Sequence, residues 1–294
     1  MTIEAGVPLS RHTTIGTGGP ARAFARPETL AELEAALRWA AERSLPVATV
    51  GLGSNVLVAD AGIEALVLRL AGDLAGARAA DGLLVAGGGA ANAVCLHRAR
   101  EAGLGGFEFA CAIPGTAGGG VRMNAGAYGS DWATVLERAL VATAEGTGWL
   151  TPVELGLSYR HSRLAHGQVV ASVEYRLTPR PAAEIKATVA KLAGARKATQ
   201  PTNKRTFGSV FKNPPGELGA GRLLEQCGLK GFASGGAVVS PKHANFIENA
   251  GGATTADCLQ LMVEMRRRAR EQFGVELEHE VVLLGELALP PLDG

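Results

Sequence analysis

The grouping of the glycines constrains this chain more than any other feature of its sequence. The chain holds 40 glycines in 294 residues, about twice the usual share, and the densest groups lie at 16–19, 51–55 and 115–120. Glycine lets a backbone adopt positive φ angles and approach a ligand closely, and adjacent N–H groups turned to one side bind anions. Each group alone is equally typical of an ordinary tight turn. The three together, with polar residues interspersed, predict a nucleotide cofactor site.

Two common nucleotide motifs do not account for these glycines. No Gly-Lys dipeptide occurs in the chain, which excludes the phosphate-binding loop of P-loop enzymes. Gly16, Gly18 and Ala21 have the spacing of the dinucleotide-binding fingerprint. The residues that follow, 22–25, have the pattern of a strand, whereas that fingerprint requires a helix at this point. A Rossmann site is therefore excluded.

Charge and composition exclude several classes of function. The 29 basic residues nearly balance the 28 acidic ones, whereas binding nucleic acid without sequence preference requires a strongly basic surface. No apolar run reaches the length of a membrane helix, and the first residues lack the apolar stretch of a signal peptide. The cysteines form no C-x-x-C pair and the histidines lack metal-ligand spacing. We therefore expect a cytoplasmic protein with reduced thiols and no metal site.

Hydrophobic periodicity predicts a mixed chain of helices and short strands. Helices are expected at 30–43, 90–102, 181–197, 222–227 and 256–273, and strands at 47–50, 56–58, 65–70, 83–86, 168–177, 237–240 and 275–284. Thr29 and Glu32 have capping-box spacing ahead of the first helix, and Gly274 ends the last. Since strands and helices follow one another without a regular βαβ rhythm, the sequence predicts the α+β class.

Several motifs, taken in chain order, resemble one known family. They include His12-Thr13-Thr14-Ile15-Gly16, Gly51-Leu52-Gly53-Ser54-Asn55, Ile113-Pro114-Gly115-Thr116, Met123-Asn124-Ala125-Gly126, Tyr159-Arg160-His161-Ser162, Gly208-Ser209-Val210-Phe211-Lys212-Asn213 and Lys242-His243-Ala244-Asn245-Phe246. With further matches they extend over nearly the whole chain. In this combination the chain resembles the UDP-N-acetylenolpyruvoylglucosamine reductases, the MurB flavoenzymes, in the branch that lacks an inserted tyrosine loop.

The resemblance implies a division of the α+β fold into an FAD-binding and a substrate-binding part. The FAD-binding domain would be of the vanillyl-alcohol-oxidase (PCMH) type and consist of two subdomains, expected at 1–73 and 74–195. A C-terminal α+β substrate-binding domain is expected at 196–275, and the segment 276–294 is expected to return to the first subdomain.

The resemblance also implies an oxidoreductase with non-covalent FAD as cofactor and NADPH as co-substrate. NADPH would reduce the flavin, which would then reduce the enolpyruvyl ether of UDP-N-acetyl-3-O-(1-carboxyvinyl)-glucosamine to UDP-N-acetylmuramate. That product is a precursor of peptidoglycan, so the enzyme would serve cell-wall biogenesis, cell shape and cell division in the cytoplasm. Neither nucleic acid, a membrane nor an obligate protein partner is implied.

Three residues are expected to carry the chemistry. Hydride addition to the terminal carbon of an enol ether leaves negative charge on C2 and its carboxylate, which requires a cationic or hydrogen-bonding group and a proton donor. By the family motifs, Arg160 and Glu280 would polarise the carboxylate and Ser209 would protonate C2. Glu278 is the alternative to Glu280, since both lie on one predicted strand and His279 stands where the family often has proline.

The motifs further assign contacts with cofactor and substrate. FAD contacts are expected at Thr14, Gly16, Gly51, Leu52, Gly53, Ser54, Asn55, Val56, Pro114, Gly115, Thr116, Gly118, Gly119, Asn124, Ala125 and Gly126. Substrate contacts are expected at Tyr128, Tyr159, Lys197, Lys212, Asn213 and His243. Lys212 or a bound water would also help Ser209 to give up its proton.

Two other functions are compatible with parts of this pattern. A related FAD oxidase would act on another substrate, and covalent oxidases of that fold attach flavin through His or Cys, neither of which occurs in 51–55. A regulator that binds flavin or a nucleotide sugar would need no proton donor, so the presence of Arg160, Ser209 and Glu280 disfavours it. The reductase is the preferred interpretation.

Overall fold

The computed structural model describes residues 1–291, and in that range helices and strands are mixed. The α-helices, α1 to α6, are Leu30–Ala41, Asn92–Glu101, Ala117–Arg122, Ala182–Thr199, Ala220–Gln226 and Thr255–Phe273. The strands, β1 to β20, are Ile3–Glu4, Val7–Pro8, Pro20–Ala25, Val47–Thr49, Val56–Val58, Ile63–Leu68, Ala77–Ala80, Leu83–Gly87, Leu104–Gly105, Gly126–Ala127, Ser130–Asp131, Leu136–Ala142, Thr147–Leu150, Val169–Arg176, Thr178–Pro179, Thr206–Ser209, Ala233–Ser234, Ala237–Val239, Phe246–Asn249 and Val282–Leu284. None of these helices is long and apolar enough to cross a membrane. The predicted α+β class is confirmed.

The chain divides into two compact units. The first contains Met1–Ala5, Ala23–Leu52 and Ala65–Arg196, and the second contains Gly6–Arg22, Gly53–Glu64 and the residues from Lys197 onward. The expected domains at 1–73, 74–195 and 196–275 stay a prediction. Of the C-terminal segment 276–294, strand β20 pairs in parallel with β5, while residues 292–294 lie outside the described range.

Two larger sheets and two hydrophobic cores form most of the first unit, which also contains the two-stranded pairs β10–β11 and β9–β15. One sheet has the strand order β1-β3-β6-β4, and its core combines Leu33 and Leu37 of α1 with Leu66 and Leu68 of β6. The other sheet is antiparallel, with the order β13-β12-β14-β8-β7. Helix α2 packs against β7 and β8, and α3 packs against β14, so this sheet is covered where the third glycine group lies.

Four aromatic rings form the centre of the second of these cores. The rings that contact one another have centroids 5.0 to 6.5 Å apart and belong to Phe107, Phe109, Trp132 and Tyr175. The fully buried indole N–H of Trp132 donates a hydrogen bond to the Tyr175 hydroxyl at 2.9 Å. A Cβ at Gly120 of α3 would lie 2.2 Å from the Trp132 ring. Helix α3 can therefore pack here only because this position carries no side chain.

The second unit is built on the antiparallel sheet β16-β19-β18-β17, with α5 packed on α6 and α6 on β17 and β18. Helix α6 begins at a capping box formed by Thr254 and Asp257. It ends, as the sequence predicts, at Gly274, which has φ +65°. The Asp60 carboxylate accepts hydrogen bonds from the first two N–H groups of α6, at 2.9 and 3.0 Å. A negative charge at a helix N-terminus is stabilising, so Asp60 fixes the segment 53–64 to this helix.

Two expectations about local structure are wrong. The strand expected at 275–284 forms only at Val282–Leu284, because the preceding residues pair with a neighbouring strand segment at a single isolated bridge, between His279 and Phe211, which is too short to make a strand. The turn expected at 115–120 is helical from residue 117 onward. Glycine is a poor helix former, and here the tight packing of Gly120 on Trp132 outweighs that preference.

The capping box expected on α1 is only half formed. The Thr29 hydroxyl accepts a hydrogen bond from the Glu32 N–H at 3.3 Å, as the spacing predicts. The Glu32 carboxylate accepts from the N–H of Glu28 at 2.8 Å rather than from that of Thr29. That hydrogen bond lowers the pKa of Glu32, and the helix still begins where the sequence predicts.

Replacing Tyr175 by Phe is expected to destabilise the first unit. The change removes the acceptor of the Trp132 indole N–H but keeps the ring, and a buried donor left unsatisfied costs about 1–3 kcal/mol. The measurement is urea unfolding followed by circular dichroism, which should show a lower midpoint. Trp149→Phe on the exposed strand β13 is the control and should change stability by less than about 0.5 kcal/mol. An unchanged midpoint for Tyr175→Phe would contradict this role.

Candidate functional site

The predicted site residues are divided between the two units. The first unit contains Gly51, Leu52, Pro114, Gly115, Thr116, Gly118, Gly119, Asn124, Ala125, Gly126, Tyr128, Tyr159 and Arg160. The second contains Thr14, Gly16, Gly53, Ser54, Asn55, Val56, Lys197, Ser209, Lys212, Asn213, His243 and Glu280.

The loop after strand β4 presents backbone donors that the protein does not use. Within residues 1–291, the N–H groups of Gly51, Leu52 and Gly53 have no hydrogen-bond acceptor. Gly53 has φ +69°, and a Cβ there would lie 2.0 Å from the carbonyl oxygen of His12, so glycine is required. Consecutive free N–H groups beside glycine are a donor set that suits phosphate.

Gly51 brings this loop against the third glycine group within the first unit. A Cβ at Gly51 would lie 2.7 Å from Oγ1 of Thr116 and 2.9 Å from its Cγ2. Thr116 is 6% exposed and is the N-cap of α3, where its hydroxyl accepts from the Gly119 N–H at 3.4 Å. Two of the segments expected to bind the cofactor are therefore in direct contact.

The N–H groups at the start of α3 are already engaged by the protein. Those of Ala117 and Gly118 donate to the carbonyls of Ala90 and Gly88 at 2.9 and 2.8 Å. A Cβ at Gly118 would lie 2.9 Å from the same Gly88 oxygen. Ala117 and Gly118 therefore serve packing first, and their N–H groups are not available to an anion.

Asn92, which the sequence analysis did not single out, holds the loop before α3. Its backbone N–H donates to the Gly115 carbonyl and its Nδ2 to the Ile113 carbonyl, both at 3.0 Å. The side chain is 2% exposed, and its Oδ1 is buried without a hydrogen-bond partner among the described residues. A polar residue in the first turn of the helix predicted at 90–102 is the signal that could have identified it.

Thr14 uses its hydroxyl to join two segments of the second unit. The Thr14 Oγ1 contacts the Gly53 carbonyl at 3.0 Å and the Thr206 carbonyl at 2.6 Å, and its N–H donates to the same Gly53 oxygen. Gly16 has φ +76°, and a Cβ there would lie 1.8 Å from Nη2 of Arg205. The predicted motif at 12–16 thus supports the turn at Gly53 and strand β16.

Arg160 lies at the tip of a two-residue hairpin turn. Ser158 and His161 exchange both backbone hydrogen bonds at 3.1 Å around Tyr159 and Arg160. Arg160 has φ +53°, a conformation that costs a non-glycine residue about 1 kcal/mol or more. Its Nη2 donates to the Gly126 carbonyl at 2.7 Å, and its Cζ lies 5.1 Å from the centre of the Tyr159 ring. Strain of this kind is concentrated at functional sites.

Tyr128 lies in the turn of the β10–β11 hairpin. It has φ +54° and is followed by Gly129 at φ +81°, as in a type I′ turn. Its ring is exposed, and its hydroxyl donates to the Leu192 carbonyl of α4 at 3.1 Å. Loss of solvent raises the pKa of Tyr128, and Cys111 raises it further. The phenol is thus neutral at pH 7 and engaged with the helix.

Strand β16 contains a bulge at the residue expected to donate a proton. Thr206 pairs with Glu248 and Ser209 with Phe246, so strand β16 has one more residue between these two pairs than strand β19 has. Gly208 has φ +84°, the conformation that such a bulge favours. In the described part of the chain the Ser209 hydroxyl forms no hydrogen bond, which leaves it available as a donor.

The segment 278–280 runs alongside Val210–Lys212 and gives its two carboxylates different surroundings. The Glu280 N–H donates to the Val210 carbonyl at 2.8 Å, and the Lys212 N–H donates to the Glu278 carbonyl at 2.9 Å. The Lys212 Nζ also forms an ion pair with the Glu278 carboxylate at 2.5 Å. Glu278 is therefore the partner of Lys212, whereas the Glu280 backbone lies beside the residue that follows Ser209.

Two asparagines fix the backbone around these residues. Asn245 is 4% exposed and bonds twice to Phe211, accepting from its N–H at 3.0 Å and donating to its carbonyl at 2.8 Å. Asn55, expected to contact the cofactor, donates from Nδ2 to the Glu280 carbonyl at 3.2 Å. Asn245 carried no expected role, since nothing in its local sequence identifies Phe211 as its partner.

The remaining substrate candidates of the second unit differ in how far their side chains are engaged. Asn213 accepts from the first N–H of α5 at 2.9 Å. His243 packs on Gly221, where a Cβ would lie 2.4 Å from its Cε1, and burial lowers the pKa of His243, so the ring is neutral at pH 7. The Lys197 side chain is exposed, and its carbonyl accepts from Lys242.

The cysteines are isolated thiols. All four are free, and burial raises the pKa of Cys95 and of Cys258 to about 12. Within residues 1–291, no three His, Cys, Asp or Glu side chains are grouped as ligands for a metal ion.

Family models match both the N-terminal and the C-terminal parts of the chain. The model of an FAD binding domain matches residues 21–149. The model of the UDP-N-acetylenolpyruvoylglucosamine reductase C-terminal domain matches residues 200–284. Together they support the expected combination of an FAD-binding part with a distinct C-terminal domain.

Individual relatives match nearly the whole chain. The UDP-N-acetylenolpyruvoylglucosamine reductase 2 of Symbiobacterium thermophilum is 47% identical over 281 residues, which are 95% of this chain and 91% of that protein. The reductase of Anaeromyxobacter dehalogenans is 46% identical over 98% of this chain and 87% of its own length. The crystal structure of the Thermus caldophilus enzyme has a TM-score of 0.84 at 38% identity and covers 97% of this chain and 99% of that one.

Gly51→Ala is expected to weaken FAD binding. The added methyl group would lie 2.7 Å from Thr116 Oγ1, so the loop and its free N–H groups must shift. We expect the dissociation constant for FAD, measured by flavin fluorescence during titration of the apoprotein, to rise at least about tenfold, or 1.4 kcal/mol. Gly148→Ala is the control, because a Cβ there meets nothing within 4 Å. Unchanged affinity in Gly51→Ala would exclude this loop from the cofactor site.

Proposed function

The chain belongs to the UDP-N-acetylenolpyruvoylglucosamine reductase family, and on that premise we propose that NADPH is its reductant and UDP-N-acetyl-3-O-(1-carboxyvinyl)-glucosamine its substrate. The product is UDP-N-acetylmuramate, made for peptidoglycan synthesis. We place this oxidoreductase in the cytoplasm, where it supports cell-wall biogenesis and through it cell shape and division. One structural observation carries the proposal: among residues 1–291 the Ser209 hydroxyl at the Gly208 bulge has no hydrogen-bond partner, and the next residue, Val210, accepts a hydrogen bond from the Glu280 N–H.

Bound FAD supplies the hydride carrier between NADPH and the enolpyruvyl group. The loop 51–53 fits this cofactor, because its glycines leave no room for a Cβ and its three N–H groups are unused within the described chain. We propose that these N–H groups bind the FAD diphosphate, with Thr116 beside them. Since 51–55 contains neither His nor Cys, we propose that the flavin is held without a covalent bond.

Arg160 is proposed to bind the carboxylate of the enolpyruvyl group. Hydride addition at the terminal carbon places negative charge on C2 and on this carboxylate, and a preorganised guanidinium stabilises such charge as it develops. The hydrogen bond to the Gly126 carbonyl and the Tyr159 ring fix the orientation of Arg160. Glu280 is proposed to contact the same carboxylate, which requires a proton shared between two carboxyl groups, because two ionised ones repel.

Ser209 is proposed to donate the proton that C2 acquires. Its hydroxyl makes no other hydrogen bond in residues 1–291, and the bulge at Gly208 fixes the backbone that carries it. A serine hydroxyl is a weak acid, so a neighbouring cation must stabilise the oxygen when it loses its proton. Lys212, three residues further along and held by Glu278, is proposed for this role, and water then returns the proton to Ser209.

The UDP-sugar is proposed to contact residues that keep polar atoms at the surface. The exposed ammonium group of Lys197 suits a diphosphate. Tyr128 and Tyr159 offer exposed rings, and neutral His243 and Asn213 are proposed for the sugar and its phosphates. The bond between the Tyr128 hydroxyl and Leu192 must open or be shared if the phenol contacts substrate.

Two anaerobic half-reactions test this function. Purified holoprotein mixed with NADPH should lose its flavin absorbance, and the enolpyruvyl UDP-sugar should then restore it with formation of UDP-N-acetylmuramate. A protein whose flavin NADPH reduces, but which is reoxidised only when oxygen is admitted and not by the UDP-sugar, would not have the proposed substrate. A protein that takes up no FAD, or whose flavin NADPH does not reduce, would overturn the proposal.

Ser209→Ala is expected to separate the two half-reactions. Since the hydroxyl acts only on the substrate carbon, flavin reduction by NADPH should keep its rate within about twofold. Reoxidation by the UDP-sugar should slow by about 10²–10⁴-fold, the range of a lost general acid. Stopped-flow absorbance measures both rates. An equal loss in both half-reactions would exclude the assigned role.

Exchanging each of the two neighbouring glutamates for glutamine distinguishes their roles. Glu280→Gln is expected to slow substrate-dependent reoxidation by at least about 10²-fold. Glu278→Gln removes an ion pair whose carboxylate is 71% exposed, so the effect should stay below about tenfold, as for other exposed pairs. Stopped-flow reoxidation of the two variants gives the answer. The reverse order of effects would assign the catalytic role to Glu278.

A further inference from the structure

We propose that Asn124 is the positioning residue for Arg160 and that its carboxamide makes no contact with the cofactor. This inference rests on the proposed function, in which Arg160 binds the substrate carboxylate. The family motif led us to expect a contact between Asn124 and FAD. The hydrogen bonds of its side chain connect it instead to the turn that carries Arg160.

The Asn124 carboxamide is fully engaged inside the first unit. The residue is 2% exposed, and its Oδ1 accepts from the Ala133 N–H at 2.9 Å. Its Nδ2 donates one hydrogen to the Asp131 carboxylate at 3.2 Å and the other to the Ser158 carbonyl at 2.9 Å. Both Nδ2 hydrogens are therefore used by the protein, and the side chain has no donor left for a ligand.

The bond to Ser158 acts directly on the Arg160 turn. Ser158 is the first residue of that turn, and its carbonyl also accepts from the His161 N–H at 3.1 Å. The Gly126 carbonyl, two residues beyond Asn124, accepts from Arg160 Nη2 at 2.7 Å. One short segment therefore fixes both the base of the turn and the guanidinium at its tip.

Arg122 secures the chain beyond the turn in the same way. Its carbonyl accepts from the Ser162 hydroxyl at 2.6 Å. Its guanidinium donates to the carbonyls of Leu164, Ala165 and Gln168 at 3.3, 3.2 and 2.6 Å. Because Arg122 holds residues 162–168 independently, loss of the Asn124 bond should release the turn and leave the following segment in place.

Position 124 requires asparagine for both its backbone and its side chain. Its φ is +37°, a region in which glycine, asparagine and aspartate are the tolerated residues. Aspartate keeps an acceptor for Ala133 but cannot donate to the Ser158 carbonyl, and it repels Asp131. Glycine keeps the backbone but makes none of these bonds.

The strained conformation of Arg160 makes its position depend on this support. A non-glycine residue at φ +53° persists only where its surroundings compensate the strain. Without the bond at Ser158 the turn can relax and move the guanidinium. A misplacement of about 1 Å can lower a rate by about 10²-fold, so substrate reduction should suffer while cofactor binding does not.

The test is a double-mutant cycle between Asn124→Asp and Arg160→Ala, with Asn124→Gly as a second variant at the same position. We expect Asn124→Asp to slow flavin reoxidation by the UDP-sugar by 10- to 100-fold. The FAD dissociation constant and the rate of reduction by NADPH should stay within twofold. In the Arg160→Ala background, Asn124→Asp should slow flavin reoxidation by less than twofold, because a residue that acts through Arg160 has no side chain left to position. Thr143→Val, which removes a hydroxyl that supports a different turn, should match the unsubstituted protein.

Amide hydrogen exchange gives a readout that needs no substrate. The peptide covering 158–161 should exchange faster in Asn124→Asp and Asn124→Gly, whereas the one covering 164–168 should not. If the unsubstituted protein fails to reduce the UDP-sugar, the proposed function is wrong, and exchange still decides whether Asn124 holds the turn. A rise in the FAD dissociation constant, an equal loss in the Arg160→Ala background, or unchanged exchange at 158–161 would each overturn the inference.

Discussion

The structure depends on glycines at positions where one segment lies so close to another that no side chain would fit between them. A Cβ at Gly53 would lie 2.0 Å from a carbonyl oxygen, at Gly51 2.7 Å from a hydroxyl and at Gly120 2.2 Å from an indole ring. Each contact joins segments that are far apart in the chain, so one added methyl group would push a whole loop or helix aside. The glycines that free the N–H groups of 51–53 are therefore also the ones that fix where those groups lie.

Polar side chains that bond to backbone atoms hold the segments that regular secondary structure does not reach. Thr14 bonds to the carbonyls of Gly53 and Thr206, Asn245 bonds twice to Phe211, and the Asp60 carboxylate caps α6. Such bonds are directional, and their loss leaves a donor or acceptor unsatisfied in a partly dry environment. These hydrogen bonds fix the positions of the loops more precisely than apolar packing would. A functional site built on loops requires such precision.

The sequence predicts the helices and strands that are stabilised by local interactions. It does not predict structure that depends on contacts with residues far away in the chain. The residues that begin and end helix α6, Thr254 and Gly274, can be recognised in the sequence, and strand β5 is a short apolar run. The helix and the strand were therefore both predictable. Helix α3 forms against the low helix propensity of glycine because Gly120 must pack on Trp132, which is distant in sequence. Motifs indicated Ser209 and Glu280 as candidates, but the pairing of Lys212 with Glu278 depends on residues 66 positions apart and could not be read from either segment.

The distinction between engaged and unengaged polar groups separates two roles that a motif alone does not distinguish. A group that reacts or binds must reach its ligand without first breaking a bond to the protein, as the Ser209 hydroxyl and the N–H groups of 51–53 can within the described chain. A side chain that positions such a reacting group must have its own donors and acceptors hydrogen-bonded to the protein, because any movement of the positioning side chain also moves the reacting group. Asn124 meets the second condition through three hydrogen bonds, as Asn245 does through two at Phe211. A motif residue can therefore belong to the catalytic apparatus without touching any ligand, because what it contributes is the conformation of the backbone beside it.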